Sequence, residues 1–314
     1  MADPKRWSLA ELRGATLGAY PVAWVTPSVR ARVLEAVPAL IPVAAGELPD
    51  AATALLAAGG GSLIDRAKHA RALRRPELRL VALPSIWGSG AERSAVTVLD
   101  DAGAKHVFRE PSWVPDVVVS WPDLAASVPL ERARHGCADA WAHALEALLS
   151  PIASPTVQSE AVALVRRMLR LPLRYDPAWF EVSVEAVSLL GRAGAGLVHG
   201  LAHALEAPAR IAAPDGRYGH ARLCAACLWP TLRFNLGSSP AARARVRDLA
   251  LDPGDLERAA RSVFDPEAWH LVRALLPTHQ ASVLRDPSTR MNCARVGAGA
   301  LEALARFEGE VTDA

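Results

Sequence analysis

Residues 135–150 read HGCADAWAHALEALLS, residues 196–208 read GLVHGLAHALEAP, and residues 217–230 read RYGHARLCAACLWP. Each carries apolar residues at three- and four-residue spacing. Each is rich in Ala and Leu, the strongest helix formers. Polar groups of metal-ligand type interrupt these apolar faces. Asp139 and His143 are four residues apart, so they share a helix face. His199 and His203 repeat that spacing on a second helix, and His220 opens a third. Such groups are costly to bury without partners. One carboxylate with three imidazoles suits Zn²⁺ or Fe²⁺. These stretches define an all-α half with a candidate metal centre.

Upstream the period changes. PVAWVT (21–26), IPVAAG (41–46), LRLVALP (78–84) and VPDVVVS (114–120) are short runs rich in β-branched and apolar residues, and read as strands. SVRARVLEAVPAL (28–40) and LIDRAKHARALRR (63–75) read as helices, and LPDAATALLAA (48–58) as a helix or a helix–strand passage. SAVTVLDDAGAKHVF (94–108) reads as two strands joined by Asp101-Ala102-Gly103. Strands alternating with helices imply a parallel sheet covered by helices. No strand is expected after Pro122. The expected architecture is two-domain: an α/β, Rossmann-like parallel-sheet domain over residues 1–126, then an all-α domain over 127–314.

Two loops in the first half mix glycine with hydroxyls. Gly59-Gly60-Gly61-Ser62 precedes a helix, where glycine lets a pyrophosphate approach and free N–H groups bind it. Pro84-Ser85-Ile86-Trp87-Gly88-Ser89-Gly90-Ala91-Glu92 follows the next strand. Open α/β sheets bind ligands at the carboxyl ends of their strands. Neither loop fits G-x-G-x-x-G or the P-loop.

Of 314 residues, 51% are apolar and 22% charged, with a formal net charge of +2. That is ordinary for a globular protein and implies no nucleic-acid partner. The N-terminal residues hold no apolar core of signal-peptide length, and no run of 18 uncharged apolar residues occurs, so a cytoplasmic, non-membrane protein is expected. Cys224 and Cys227 form a C-x-x-C without a second pair. They read, with Cys137 and Cys293, as small buried thiols in a reducing compartment.

Taken together, the motifs resemble the iron-containing (group III) alcohol dehydrogenases, relatives of glycerol dehydrogenase and dehydroquinate synthase. The family's G-G-G-S-x-x-D-x-x-K is similar to Gly59 through Ser62 with Asp65 and Lys68. Its P-T-T-x-G-T-G-S-E is similar to Pro84 through Glu92. Its D-A-x-x-H-A-x-E and G-x-x-H-x-x-A-H are similar to Asp139 through Glu146 and Gly196 through His203. Arg233-Phe234-Asn235 also matches. The resemblance implies a dehydroquinate synthase-like fold with Asp139, His143, His199 and His220 as ligands of a divalent metal, Fe²⁺ before Zn²⁺. It implies His203 as a proton-relay residue and Asp65, near the nicotinamide, as a second catalytic residue. It implies Gly60, Gly61 and Ser62 at the pyrophosphate of NAD or NADP, with Ser85, Ser89 and Lys105 also on the cofactor. Pro27, with Arg30 close by, stands where an NAD-favouring Asp is frequent, a lean toward NADP.

The implied reaction is hydride transfer between the nicotinamide and a metal-bound alcohol or carbonyl of a small molecule or peptide, in a homodimer. Natural-product tailoring fits within it: phosphonoacetaldehyde reduction, or oxidation of a peptide C-terminal Thr leading to decarboxylation. The alternatives are lyase or cyclase chemistry of dehydroquinate synthase type and a non-catalytic binding subunit. The chain departs from the family in its short length, in Ala91 and Ala221, and in Ser85-Ile86-Trp87, which brings an indole toward the cofactor region.

Overall fold

The computed structural model describes residues 4–101 and 104–308, with the side chains of residues 100, 101, 104 and 105 outside the description. The chain forms two compact units. One comprises Met1–Pro129 with Tyr175–Val184, and the other Leu130–Arg174 with Glu185–Ala314.

The first unit is built on a six-stranded sheet of β1 (Lys5–Ser8), β2 (Pro21–Val25), β3 (Ile41–Pro42), β4 (Ala54–Gly59), β5 (Arg79–Pro84) and β8 (Val117–Ser120), in spatial order β1-β8-β5-β4-β2-β3. Every pairing is parallel. A separate antiparallel pair joins β6 (Val96–Asp101) to β7 (Ala104–Arg109). The Ala102-Gly103 part of the expected turn lies outside the described residues. Helices α1 (Leu9–Gly14), α2 (Arg30–Ala36) and α3 (Gly61–Arg74) connect the strands.

Two of the sequence expectations change here. Residues 54–59 are a strand throughout, with no helix in residues 48–58. Ala-rich β4 sits between β2 and β5 and is buried along its whole length. Leu55 and Ala57 pack with Ile64 and Ala67 of α3, while Leu56 and Ala58 pack with Val33 and Val119 on the other face. A strand covered on both faces shows an unbroken apolar run rather than alternation, which is why its period was ambiguous. The second change is β1, a polar edge strand paired to β8, which carried no apolar signal.

The second unit is helical: α4 (Leu130–Leu149), α5 (Pro155–Met168), α7 (Leu197–Ala212), α8 (His220–Ser238), α9 (Pro240–Asp248), α10 (Pro253–Ser262), α11 (Pro266–Arg285), α12 (Pro287–Arg290) and α13 (Ala298–Ala305). Helix α6 (Ala178–Ala193) begins in the first unit. There Trp87 lies 5.8 Å from the Phe180 ring and 6.4 Å from Tyr175, and Gly88 N–H donates to Ser183 Oγ at 3.0 Å. The indole is only 3% exposed, so it anchors Tyr175–Val184 to the second loop. No helix among the described residues is long and apolar enough to cross a membrane.

Candidate metal centre and nucleotide loops

Helix α4 presents Asp139 and His143 one turn apart, α7 presents His199 and His203, and α8 starts at His220. The structure brings these five side chains together. Nε2 of His143, His199 and His220 lie 3.7, 3.9 and 3.7 Å from Asp139 Oδ1. The rings of His143 and His199 stack at 4.7 Å, and those of His203 and His220 at 5.3 Å.

Asp139 is 2% exposed, yet its Oδ1 and the Nδ1 of His143 have no hydrogen-bond partner among the described residues. Burial works to raise the Asp139 pKa, but His143, His220 and His199 outweigh it and hold the carboxyl below its ordinary value. Burial pushes His143 down to about 4, with Asp139 opposing. The His143 imidazole, held neutral beside a charged carboxylate, is in the protonation state a divalent metal requires. The donor set and the bare oxygen at its centre fit such an ion.

Local chemistry explains why α7 starts where it does. Gly196 is its N-cap and offers no side chain. The first four N–H groups of a helix need outside acceptors. Asn292 Oδ1 accepts from Leu197 N–H at 3.2 Å, and Glu146 Oε1 accepts from Val198 at 2.7 Å and His199 at 3.2 Å. A Cβ on Gly196 would lie 3.1 Å from both acceptor oxygens, so glycine allows their approach. The other Glu146 oxygen accepts from His199 Nδ1 at 2.6 Å. With the proton fixed on Nδ1, the Nε2 lone pair faces Asp139 and is available to a metal.

Glu146 has no assigned role in the family motif, Glu206 and Asp286 carry no sequence signal, and Cys224, expected as a small buried thiol, lies beside the centre. Glu206 Oε2 is 3.6 Å from His220 Nδ1, and Asp286 Oδ2 is 3.7 Å from His203 Nδ1. Cys224 Sγ lies 3.6 Å from His220 Nε2. The signal for Cys224 was its position one turn after His220. His135 is engaged elsewhere, with its Nε2 3.0 Å from Asp265 Oδ2, which also takes Arg222 at 2.7 Å.

In the first unit, Gly60 caps α3 without a side chain of its own. A Cβ on Gly61 would run into Ser89, lying 2.8 Å from its Cβ, and one on Gly60 would touch Ile86. The two loops thus pack directly on each other, with Gly88 and Gly90 at φ +120° and +60° shaping the second. Ser85 N–H donates to Gly59 O at 2.9 Å. Ser62 is exposed on the first turn of α3, and Ser89 is half-buried. A glycine-capped helix N-terminus fits a phosphate. The side chain of Lys105 lies outside the described residues.

Asp65 holds structure on both oxygens: Lys68 Nζ at 2.9 Å and Val98 N–H at 3.0 Å. Lys68, fully buried, also donates to the carbonyls of Ala91, Ser94 and Val96. It ties the end of the second loop to α3, another role absent from the sequence reading.

The chain is similar to known proteins in sequence and in fold. Residues 35–122 match the family model for iron-containing alcohol dehydrogenase. A maleylacetate reductase from Sphingobium indicum is 31% identical over 264 residues, covering 81% of this chain and 71% of the relative. The probable alcohol dehydrogenase EutG of Escherichia coli is 32% identical over 209 residues, covering 58% of this chain and 51% of EutG. The chain therefore spans about half the length of several curated relatives it matches. Two solved structures share the fold across nearly the whole chain. An iron-containing alcohol dehydrogenase from Thermococcus thioreducens has a TM-score of 0.75 at 21% identity, covering 97% of this chain and 98% of that one. Sulfoacetaldehyde reductase from Bifidobacterium kashiwanohense, solved with NAD⁺, has a TM-score of 0.76 at 18% identity, covering 98% of each chain. The chain belongs to the iron-containing alcohol dehydrogenase family.

Proposed function

We propose that this protein is a metal-dependent, nicotinamide-linked oxidoreductase that interconverts an alcohol and its aldehyde or ketone. The observation that carries the proposal is the gathering of three imidazole Nε2 atoms within 3.9 Å of one Asp139 oxygen in a buried setting. Asp139, His143, His199 and His220 would hold Fe²⁺ or Zn²⁺, and Gly60, Gly61, Ser62, Ser85, Ser89 and Lys105 would hold NAD or NADP. When bound, the metal supplies a Lewis acid for the substrate oxygen and the nicotinamide supplies or accepts the hydride.

The chain's own residues do the rest. Glu146 fixes the tautomer of His199 and caps α7. His203, oriented toward Asp286, carries the hydroxyl proton away from the substrate oxygen in oxidation and returns it in reduction. Asp65 and Lys68 hold the second loop against the first, so that Asp65 positions rather than transfers a proton. The names of relatives point to small alcohols and carbonyls, among them a 1-propanol dehydrogenase and maleylacetate reductases. Within the same chemistry, a tailoring substrate such as phosphonoacetaldehyde or a peptide ending in Thr is the finer reading.

The test is the purified protein and its His199→Ala variant. Metal content, NAD(H) and NADP(H) titration, and turnover on short alcohols, aldehydes, phosphonoacetaldehyde and a Thr-terminated peptide are measured. The wild type is expected to bind metal and nucleotide and turn over, and the variant to lose metal and rate. A variant that keeps its metal and full turnover refutes the assignment. Metal without nicotinamide affinity favours a binding subunit, and turnover without net redox change favours the lyase or cyclase reading.

A further inference from the structure

We infer that Cys224 is a sulfur ligand of the metal in the Asp139 centre and tunes that centre toward Zn²⁺. The inference rests on the metal reading proposed above and adds a donor that reading does not include.

Helix α8 starts at His220, so Cys224 follows one turn later on the same face. One ligand atom from each of Asp139, His199, His220 and Cys224 lies within 4.8 Å of every other. The Cys224 Sγ to His220 Nε2 distance is 3.6 Å. A tetrahedral ion with Zn–N near 2.1 Å and Zn–S near 2.3 Å holds its nitrogen and sulfur donors about 3.6 Å apart. The imidazole-to-carboxylate distances in the same group, 3.7 and 3.9 Å, are slightly wider than that geometry needs, so modest contraction closes the set.

A second observation points to an ion at the same place. Asp139 Oδ1, in a residue 2% exposed, has no hydrogen-bond partner among the described residues and lies 3.9 and 3.7 Å from the His199 and His220 nitrogens of this group. His143 also approaches it, at 3.7 Å, without belonging to the mutually close four. The centre therefore offers five donors, and an ion held by four of them leaves the fifth position of an expanded site to the substrate oxygen.

The rival role for Cys224 is a thiol hydrogen-bonded to the Asp139 carboxylate. Coordination replaces that bond: the thiol proton leaves to solvent and the sulfur lone pair turns to the ion. Thiolate donors favour Zn²⁺ over the harder divalent ions.

The experiment uses the full chain, stripped with a chelator and reloaded with Co²⁺, whose thiolate complexes show a near-ultraviolet sulfur-to-metal charge-transfer band. The wild type is expected to show the band. Cys224→Ser is expected to bind cobalt with the same stoichiometry, lose the band, and hold Zn²⁺ at least about tenfold more weakly in chelator competition. Cys137→Ser, Cys227→Ser and Cys293→Ser are expected to keep the band, which assigns it to Cys224 by elimination even if Cys224→Ser does not fold. Cobalt-loaded wild type without the band, or a band that survives Cys224→Ser, overturns sulfur ligation and leaves the Asp/His centre standing. A protein that takes up no cobalt overturns both readings.

Discussion

Replacing Glu146 with Gln tests how the centre is held together. The side chain is 5% exposed and serves three donors: the backbone N–H groups of Val198 and His199 on one oxygen, and His199 Nδ1–H on the other. Burial works to raise its pKa, but the His199 ring and the backbone donors of α7 outweigh that and hold the carboxyl below its ordinary value. Its contribution is therefore full at neutral pH and is lost as pH falls through the depressed folded value.

Gln keeps the shape but only one acceptor. If its oxygen faces the backbone, its NH₂ meets Nδ1–H, donor against donor. If it flips, the two backbone N–H groups of α7 lose their acceptor. Each lost bond was made to a charged group and is worth roughly 1.5–3 kcal/mol. His199 can relieve the first arrangement by moving its proton to Nε2, which removes the lone pair facing Asp139. The metal-free variant is thus expected to lose about 2 kcal/mol in urea unfolding at pH 7. Metal affinity, measured by chelator competition, is expected to fall roughly 10- to 100-fold. Wild-type unfolding free energy together with wild-type metal affinity would show that Glu146 neither caps α7 nor sets the tautomer of His199.

Gly200→Ala puts a Cβ into Thr289, 3.0 Å from its backbone nitrogen, where α7 and α12 meet. Backbone must shift, at a cost of about 1–3 kcal/mol by thermal or urea unfolding; an unchanged midpoint would contradict the close approach. Gly61→Ala drives the second loop off the first at Ser89, so nucleotide affinity by titration is expected to fall at least about tenfold while metal content stays constant. Glu92 is 5% exposed, and burial pushes its carboxyl from 4.5 up to about 7 against the pull of Lys68 and Arg93. Because its folded pKa is raised, the native state binds the extra proton and loses stability as pH rises through that window. Glu92→Gln should therefore gain on the wild type between pH 5 and 8 by up to about 3 kcal/mol; parallel stability curves would count against the buried carboxyl.

Much of the fold was legible because its signals are local. The periods of α4, α7 and α8 stand out in Ala/Leu-rich sequence, and Asp139, His143, His199 and His203 share faces by spacing alone. The loop glycines announce themselves by composition. Ala54–Gly59 was ambiguous because a strand buried on both faces shows no alternation, and Lys5–Ser8 was silent because an edge strand can be polar. The position of Trp87 was legible, but its burial against Phe180 was not: that packing joins residues about ninety positions apart.

By itself, the sequence determined the order of strands and helices apart from β1 and β4, the residue types of the centre, and the family resemblance, all of which follow from short-range periodicity and motif. Only the tertiary structure decided that the three Nε2 atoms meet on one Asp139 oxygen, that Glu146 of α4 caps α7 and orients His199, that Lys68 straps the second loop, and that Cys224 faces the metal donors rather than the core. Those facts depend on how separate helices and loops pack together, and spacing along the chain does not encode the distances across it.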